Sequence, residues 1–338
     1  MPAEWGRHER TWMAFPPPND TFGEDGSPSL ATARRLWASV ANTVARYEPL
    51  TLIAGIGQGA AAKGLVRPEV TVVELPLDDA WLRDSGPTFV HDPASSTGIA
   101  AVDWTFNGWG GQDWASWERD DQLAAQVAEL AGHPSRRSAL TMEGGGFAVD
   151  GEGTVLLTET VQLDPGRNPG WTAEQVEAEV HARLGTSTAI WLPRGLTRDY
   201  DEFGTRGHVD LVASFVRPGT VAVHVQRDRR HPDHDVTHEI AALLRGHGLE
   251  VIEVAAPTVI EDDEGRPVDY SYINHYVAND VVVLCGFDDP NDAAAAETLG
   301  AAYPDRTVEL VDARGIFAHG GGIHCITQQQ PRKETTCS

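Results

Sequence analysis

The sequence predicts an α/β protein, a five-bladed pseudo-symmetric propeller of ββαβ-like units around a central channel. Three observations predict it. Paired apolar runs recur along the chain, each pair joined by a short turn; helix-like stretches lie between the pairs; and the polar or glycine-rich entries to the pairs recur at similar intervals. Taking Asp84, Glu143, His208, Tyr272 and Cys325 as markers, those intervals are 59, 65, 64 and 53 residues. Repetition at a near-constant period is the signature of a repeat architecture. A doubly wound sheet would alternate single buried strands with helices instead of hairpins. In a propeller the corresponding ends of the inner strands converge, so Asp84, Glu143, His208 and Cys325 are expected to face one channel.

The elements follow in order. LATARRLWASVANTVARY reads as a first helix and TLIAG as a short strand after it. RDSGPTFVHD passes through PASSTG to IAAVDW, EGGGFAVD through GEG to TVLLTE, HVDLVASFV through RPG to TVAVHV, and SYINHYVA through ND to VVVLCGF. Alternating or continuous apolar runs bounded by Gly, Pro, Asn and Asp are what β-hairpins require. WERDDQLAAQVAELAG, TAEQVEAEVHARLG, THEIAALLRGHG and DAAAAETLGAAY carry apolar residues at helical spacing, and most end at a glycine. PPPNDTFGEDGSPS and RDRRHPDHD read as surface loops. No low-complexity linker divides the chain, so residues 1–331 are expected to form one domain of five repeats and residues 332–338 a polar tail.

Composition narrows the function. With 41% hydrophobic and 22% charged residues in 338, the chain reads as a globular enzyme-sized protein. No run approaches the roughly 18 apolar residues that span a bilayer. MPAEWGRHERTWMAF carries charge throughout and lacks the apolar core of a signal peptide, so a cytoplasmic location is expected. A balance of 26 Lys+Arg against 50 Asp+Glu gives a net charge of −24, which repels nucleic acid and anionic membranes and draws small cations towards clefts. Solubility alone would equally explain such a charge. It identifies no substrate.

Cys285, Cys325 and Cys337 are too few and too irregularly spaced for a disulfide framework or a zinc site. Cys285, in VVVLCGF, reads as a strand-core filler, and Cys337 as part of a frayed tail. Cys325 differs, following three glycines and a histidine within GGGIHC. His231, His234 and His238 in HPDHDVTHE have spacings that could suggest metal ligation, but Pro232 and the surrounding charges favour a loop entering a helix. His324, beside Cys325, is expected to point to the opposite face of a strand and to be structural.

MPAEWGRHERTWMAFP, DDAWLRDSGPTFV, DWTFNGWGG, EGGGFAVDGEGT, GHVD, YSYINHYVAN and GGGIHCITQQQP occur in the order found in agmatine deiminases. The chain resembles that family, related to bacterial peptidylarginine deiminases within the guanidine-modifying superfamily, from Met1 to about Pro331. The resemblance implies a five-bladed α/β propeller that hydrolyses a guanidinium to a ureido product and ammonia without metal or organic cofactor. Agmatine, giving N-carbamoylputrescine, is the first substrate it implies. Arginine, a guanidino acid or peptidyl-arginine, an amidinotransferase reaction, and a non-catalytic binding propeller are the alternatives. It places Cys325 as nucleophile, His208 as general acid/base, Asp84 and Asp210 as the carboxylates that grip the guanidinium, Trp81 beside the substrate and Glu143 as an acidic pocket residue.

The chemistry accounts for these residue types. A guanidinium carbon is a poor electrophile, so a thiolate opens the route through a covalent intermediate. Two carboxylates hold the N–H fork, and an imidazole moves protons to ammonia and from water. The sequence departs from the resemblance before GHVD. Where the family carries a run like ETDGHVDN, this chain has YDEFGTRGHVDL, with Gly204 at the glutamate and Arg206 at the next acidic or amide position. Either Arg206 faces the pocket and pairs with a substrate carboxylate, or it is a solvated surface residue. Asp201 or Glu202 could supply the missing charge. The partner implied is a small cationic guanidine, with a homo-oligomer left open.

Overall fold

Local chemistry marks the elements. In the helix Ala173–Leu184, Thr172 accepts the Gln175 N–H at 3.3 Å while the Gln175 side chain accepts the Thr172 N–H at 2.9 Å, and Gly185 ends the helix at φ +71°. In the helix Pro28–Val44, Leu30, Ala33, Trp37, Val40, Ala41 and Val44 form one buried stripe. The computed structural model describes residues 1–262 and 265–333. Cys337 and most of the predicted tail lie outside the described residues.

Five small sheets result, four of them built alike. Thr88–His91 pairs antiparallel with Ile99–Thr105, and Ser135–Thr141 returns parallel to the second strand after the helix Leu123–Ala131. The same order holds for Phe147–Val149, Thr154–Thr158 and Thr188–Leu192 around the helix Ala173–Leu184. It holds for Ala213–Arg217, Thr220–Val225 and Glu250–Ala255 around the helix Asp233–Gly246. It holds again for Tyr276–Val277, Val281–Gly286 and Thr307–Asp312 around the helix Asp292–Ala302. Parallel neighbours need a crossover, and the helix of each unit supplies it.

The remaining sheet joins the two ends of the described chain. Its central strand His8–Ala14 runs parallel to Leu50–Ala54, which continues to Thr71–Glu74, and antiparallel to Thr327–Pro331. Trp12 lies opposite Gln328, and the Trp12 indole donates to Gln330 Oε1 at 2.9 Å. This pairing fixes the segment carrying Cys325 against the N-terminal strand. The predicted hairpins and helices are all present, while the helix predicted from Thr237 begins earlier, at Asp233. Among the described residues, no helix is long and apolar enough to cross a membrane.

Candidate active site

A turn or one-turn helix leads into the first strand of each of the four like sheets, and into the strand that ends the remaining one. These entries carry the polar side chains of the site. Leu82–Ser85 presents Asp84 before Thr88–His91, and Glu143 precedes the turn Gly144–Gly146 before Phe147–Val149. His208 caps, and Asp210 lies within, Val209–Leu211 before Ala213–Arg217. Asn274 stands before Tyr276–Val277, and Cys325 lies in His324–Ile326 before Thr327–Pro331.

The groups meet closely around Gly145. A Cβ at Gly145 would lie 2.6 Å from His208 Nδ1, 2.9 Å from Asp210 Oδ2 and 3.0 Å from Asp84 Oδ1. Asp84 accepts the Gly145 N–H at 3.0 Å and the Trp109 indole N–H at 2.9 Å, and Trp109 reaches it from a loop residue at φ +55°. Burial pushes the Asp84 carboxyl up to about 6, with His208 opposing the shift and Asp210 and Glu143 adding to it.

His208 Nε2 lies 3.3 Å from Glu143 Oε2 and Nδ1 lies 3.8 Å from Asp84 Oδ1. Burial opposes protonation of this ring, but the Asp84, Glu143 and Asp210 carboxylates outweigh it and raise the pKa to about 9. The Asp199 carboxylate holds the segment by accepting the N–H groups of Thr205, Gly207 and His208. Behind Glu143 runs a chain of alternating charge. Arg167 Nε donates to Glu143 at 2.9 and 3.1 Å, Arg167 Nη1 to Asp164 at 3.0 Å, and Arg206 Nη1 to the same Asp164 oxygen at 3.1 Å. Burial opposes ionisation of Glu143, and Arg167 and His208 overcome it, holding its pKa at about 2.

Cys325 Sγ lies 3.5 Å from Asp210 Oδ2, 3.2 Å from Asn274 Nδ2 and 3.5 Å from the Gly322 N–H. Burial and the Asp210 and Asp84 carboxylates push its thiol well above the ordinary value, against the Gly322 and Asn274 donors. The substrate-free site therefore pairs a neutral thiol with an imidazolium. Two buried atoms in it have no hydrogen-bond partner, His208 Nδ1 and Asp210 Oδ1. Buried polar atoms are rarely left so, and both mark where a polar ligand would be satisfied. Trp81 is buried against Trp37, and the space at Gly321 separates its ring from the sulfur. A Cβ there would lie 2.8 Å from Trp81 Cζ3 and 3.1 Å from Cys325 Sγ.

The structure thus brings Cys325, His208, Asp84, Asp210, Glu143 and Trp81 together. Two sequence expectations need correction. Tyr272 is a core residue whose hydroxyl donates to Asp292 Oδ1 at 2.7 Å, and the fourth-unit residue that reaches the site is Asn274. His324 lies in a one-turn helix, where strand alternation does not apply, and its ring reaches Asp210 at 2.8 Å. Arg206 is 40% exposed and ion-paired through Nη1 with Asp164. Gly204 has a steric reason, because a Cβ there would lie 2.2 Å from the Asp199 carbonyl oxygen. Cys285 is buried in its strand, with its thiol donating to the Asn274 carbonyl at 3.0 Å. His231 packs with Nε2 3.1 Å from the Val268 carbonyl, and His234 and His238 lie along the following helix. Trp109, Asn274 and Glu4 lay inside recognised motifs without being singled out; Arg167 and Asp164 carried no sequence signal.

Several small α/β sheets feeding one buried cluster of thiol, imidazole and carboxylates define the class, and solved structures share it. The agmatine deiminase of Enterococcus faecalis superposes with a TM-score of 0.89 at 32% identity, covering 99% of this chain and 96% of that one. A Streptomyces coelicolor protein provisionally named an agmatine deiminase is 61% identical over 338 residues, covering 98% of each chain. The agmatine deiminase of Stutzerimonas stutzeri is 37% identical over 359 aligned residues, covering 98% of this chain and 95% of its own. The chain belongs to the Porphyromonas-type peptidyl-arginine deiminase family, which matches residues 1–331.

Proposed function

We propose that this protein hydrolyses the guanidinium of agmatine to N-carbamoylputrescine and ammonia, with Cys325 as nucleophile. The observation that carries the reading is the meeting of His208, Asp84 and Asp210 around Gly145 with Cys325 Sγ 3.5 Å from Asp210 Oδ2, and with His208 Nδ1 and Asp210 Oδ1 unpartnered. Asp84 and Asp210 are the anionic fork for the planar N–H groups, and their grip sets the carbon beside Sγ. A bound cation compensates the two carboxylates that hold the thiol protonated, so substrate binding itself favours the thiolate.

As the guanidinium binds, the Cys325 thiol releases its proton to solvent, and the thiolate adds to the guanidinium carbon, giving a neutral tetrahedral adduct. The His208 imidazolium protonates one amino group, and the C–N bond breaks to release ammonia and leave a cationic thiouronium on Cys325. Neutral His208 then takes a proton from water as its oxygen bonds to the carbon. Collapse breaks the C–S bond, returns the thiolate and forms the ureido carbonyl, and the second water proton leaves to ammonia or solvent. Glu143 keeps His208 protonated for the first half.

The names of the relatives support agmatine. The net charge of −24 suits a cationic substrate without choosing among them. Four like sheets and a fifth that pairs the first strand with the last support a five-bladed propeller formed by residues 1–331 as one domain. A reducing compartment such as the cytoplasm suits a reaction that needs Cys325 as a thiol. The test is a panel of agmatine, arginine, guanidino acids and an arginyl peptide, with ammonia and ureido product measured. Turnover of agmatine above the others is expected, and no turnover of any guanidine overturns the reading.

A further inference from the structure

His324 and Glu4 take no part in the steps above, yet both are built into the site. His324 Nδ1 lies 2.8 Å from Asp210 Oδ2, and Nε2 lies 2.9 and 3.2 Å from the two Glu4 oxygens. Carboxylate oxygens only accept, so a neutral ring would turn a lone pair on one of them; two acceptors require two N–H groups. The ring is therefore an imidazolium clasped between carboxylates. Glu4 is held in turn by Arg83 Nη1 at 3.1 Å, and Arg83 also donates to Gln329 Oε1 at 2.9 Å and to the His324 carbonyl at 3.3 Å. His324 is 6% exposed and Arg83 2%, so solvent screens little at the ring itself, whereas the Glu4 side chain is 21% exposed.

The surrounding charges agree. Burial and Arg83 oppose protonation of His324, and Glu4 and Asp210 carry its pKa above the ordinary value. Asp210 is also faced by His208, Arg83 and the Cys325 thiol; burial raises its pKa, and the cations, His324 foremost, bring it below the ordinary value. His275 also stands near Glu4 and His324, but burial pushes its pKa down to about 4 and it contributes no charge at neutral pH.

We infer that Glu4 and His324 are positioning residues for Asp210: the His324 imidazolium, pinned by Glu4, anchors Oδ2 where it faces Gly145 and Cys325, keeps Asp210 ionised and leaves the unpartnered Oδ1 free to accept from the substrate. The inference rests on Asp210 as a guanidinium-binding carboxylate. Without the imidazolium, Asp210 is a buried acid beside a thiol, and it takes up a proton that blocks its grip on a cation. A residue at position 4 thus controls a carboxylate at the entry to the third of the four like sheets through a ring from the entry to the last strand.

Three variants test this. His324→Gln keeps a donor for Glu4 and loses the one to Asp210; His324→Asn does the reverse; Glu4→Gln keeps shape and removes charge. In His324→Gln, kcat/KM falls roughly tenfold or more, with KM rising more than kcat falls. Its acid limb moves to higher pH and steepens, because Asp210 now titrates alongside Asp84. His324→Asn retains more activity than His324→Gln, and Glu4→Gln shifts the limb the same way by less. A merely structural pair would lower the melting temperature and leave KM and the acid limb in place, and that result overturns the inference. Imidazole 15N NMR reads the ring without turnover. A doubly protonated His324 persisting above the ordinary imidazole titration in the wild type, and weakened in Glu4→Gln, is expected. A neutral wild-type ring overturns the inference even if the protein turned over no guanidine and the deiminase reading had failed separately.

Discussion

Replacing Gly145 by alanine places one methyl carbon in the middle of the site. That carbon would lie 2.6 Å from His208 Nδ1, 2.9 Å from Asp210 Oδ2 and 3.0 Å from Asp84 Oδ1. The shortest of these is about 1 Å inside ordinary van der Waals separation, so at least one of the three groups must retreat. The backbone is not the obstacle, since Gly145 does not occupy the left-handed region. Overpacking of this kind costs about 1–3 kcal/mol of stability, and a displacement near 1 Å in a reacting group costs about a hundredfold in rate. Gly145→Ala is therefore expected to fold, to melt a few degrees lower, and to lose roughly a hundredfold or more in kcat/KM for agmatine. Steady-state ammonia release, paired with a calorimetric melting curve, measures both. Activity within about threefold of wild type in a folded Gly145→Ala protein would refute the claim that the guanidinium carbon sits among these three groups.

Three further outcomes follow from the same geometry. The pH profile of kcat/KM should form a bell with limbs near 6 and 9, since Asp84 must be ionised and His208 protonated; Glu143→Gln should move the upper limb down. Arg167→Met should cost about 3–5 kcal/mol in urea unfolding because it strands the buried Glu143 carboxylate, and adding Glu143→Gln should recover part of that loss. Asp79 binds a proton up to about pH 7 in the folded state, against an ordinary value of 3.8, so its stabilisation is full at low pH and lost as pH rises through 7. Asp79→Asn should accordingly gain on the wild type in melting temperature between pH 5 and pH 8, and a constant difference across that range would contradict the buried-acid assignment.

The hairpins and helices were legible because each announces itself locally, by alternation, by a capping residue or by a terminal glycine. Cys325, His208, Asp84, Asp210 and Glu143 were legible because each stands at a polar or glycine-rich strand entry within a recognisable motif. Tyr272 failed as a marker for a physical reason. The fourth unit enters a strand of only two paired residues, Tyr276–Val277, and periodicity cannot say which side chain of a turn points inward. Asn274, two positions on, does so. Arg206 exposed the same limit, since its partner Asp164 lies 42 residues away and was part of no motif. The Glu4–His324 pair spans 320 residues and exists only because the first and last strands are neighbours, which no local pattern encodes.

The central claim is a covalent intermediate on one thiol. Rapid acid quenching of the protein turning over agmatine, followed by peptide mass mapping, tests it directly. A mass increase of agmatine less one ammonia is expected on the peptide carrying Cys325, absent from those carrying Cys285 and Cys337. An adduct on either of the other cysteines, or undiminished ammonia release from Cys325→Ala, would contradict it.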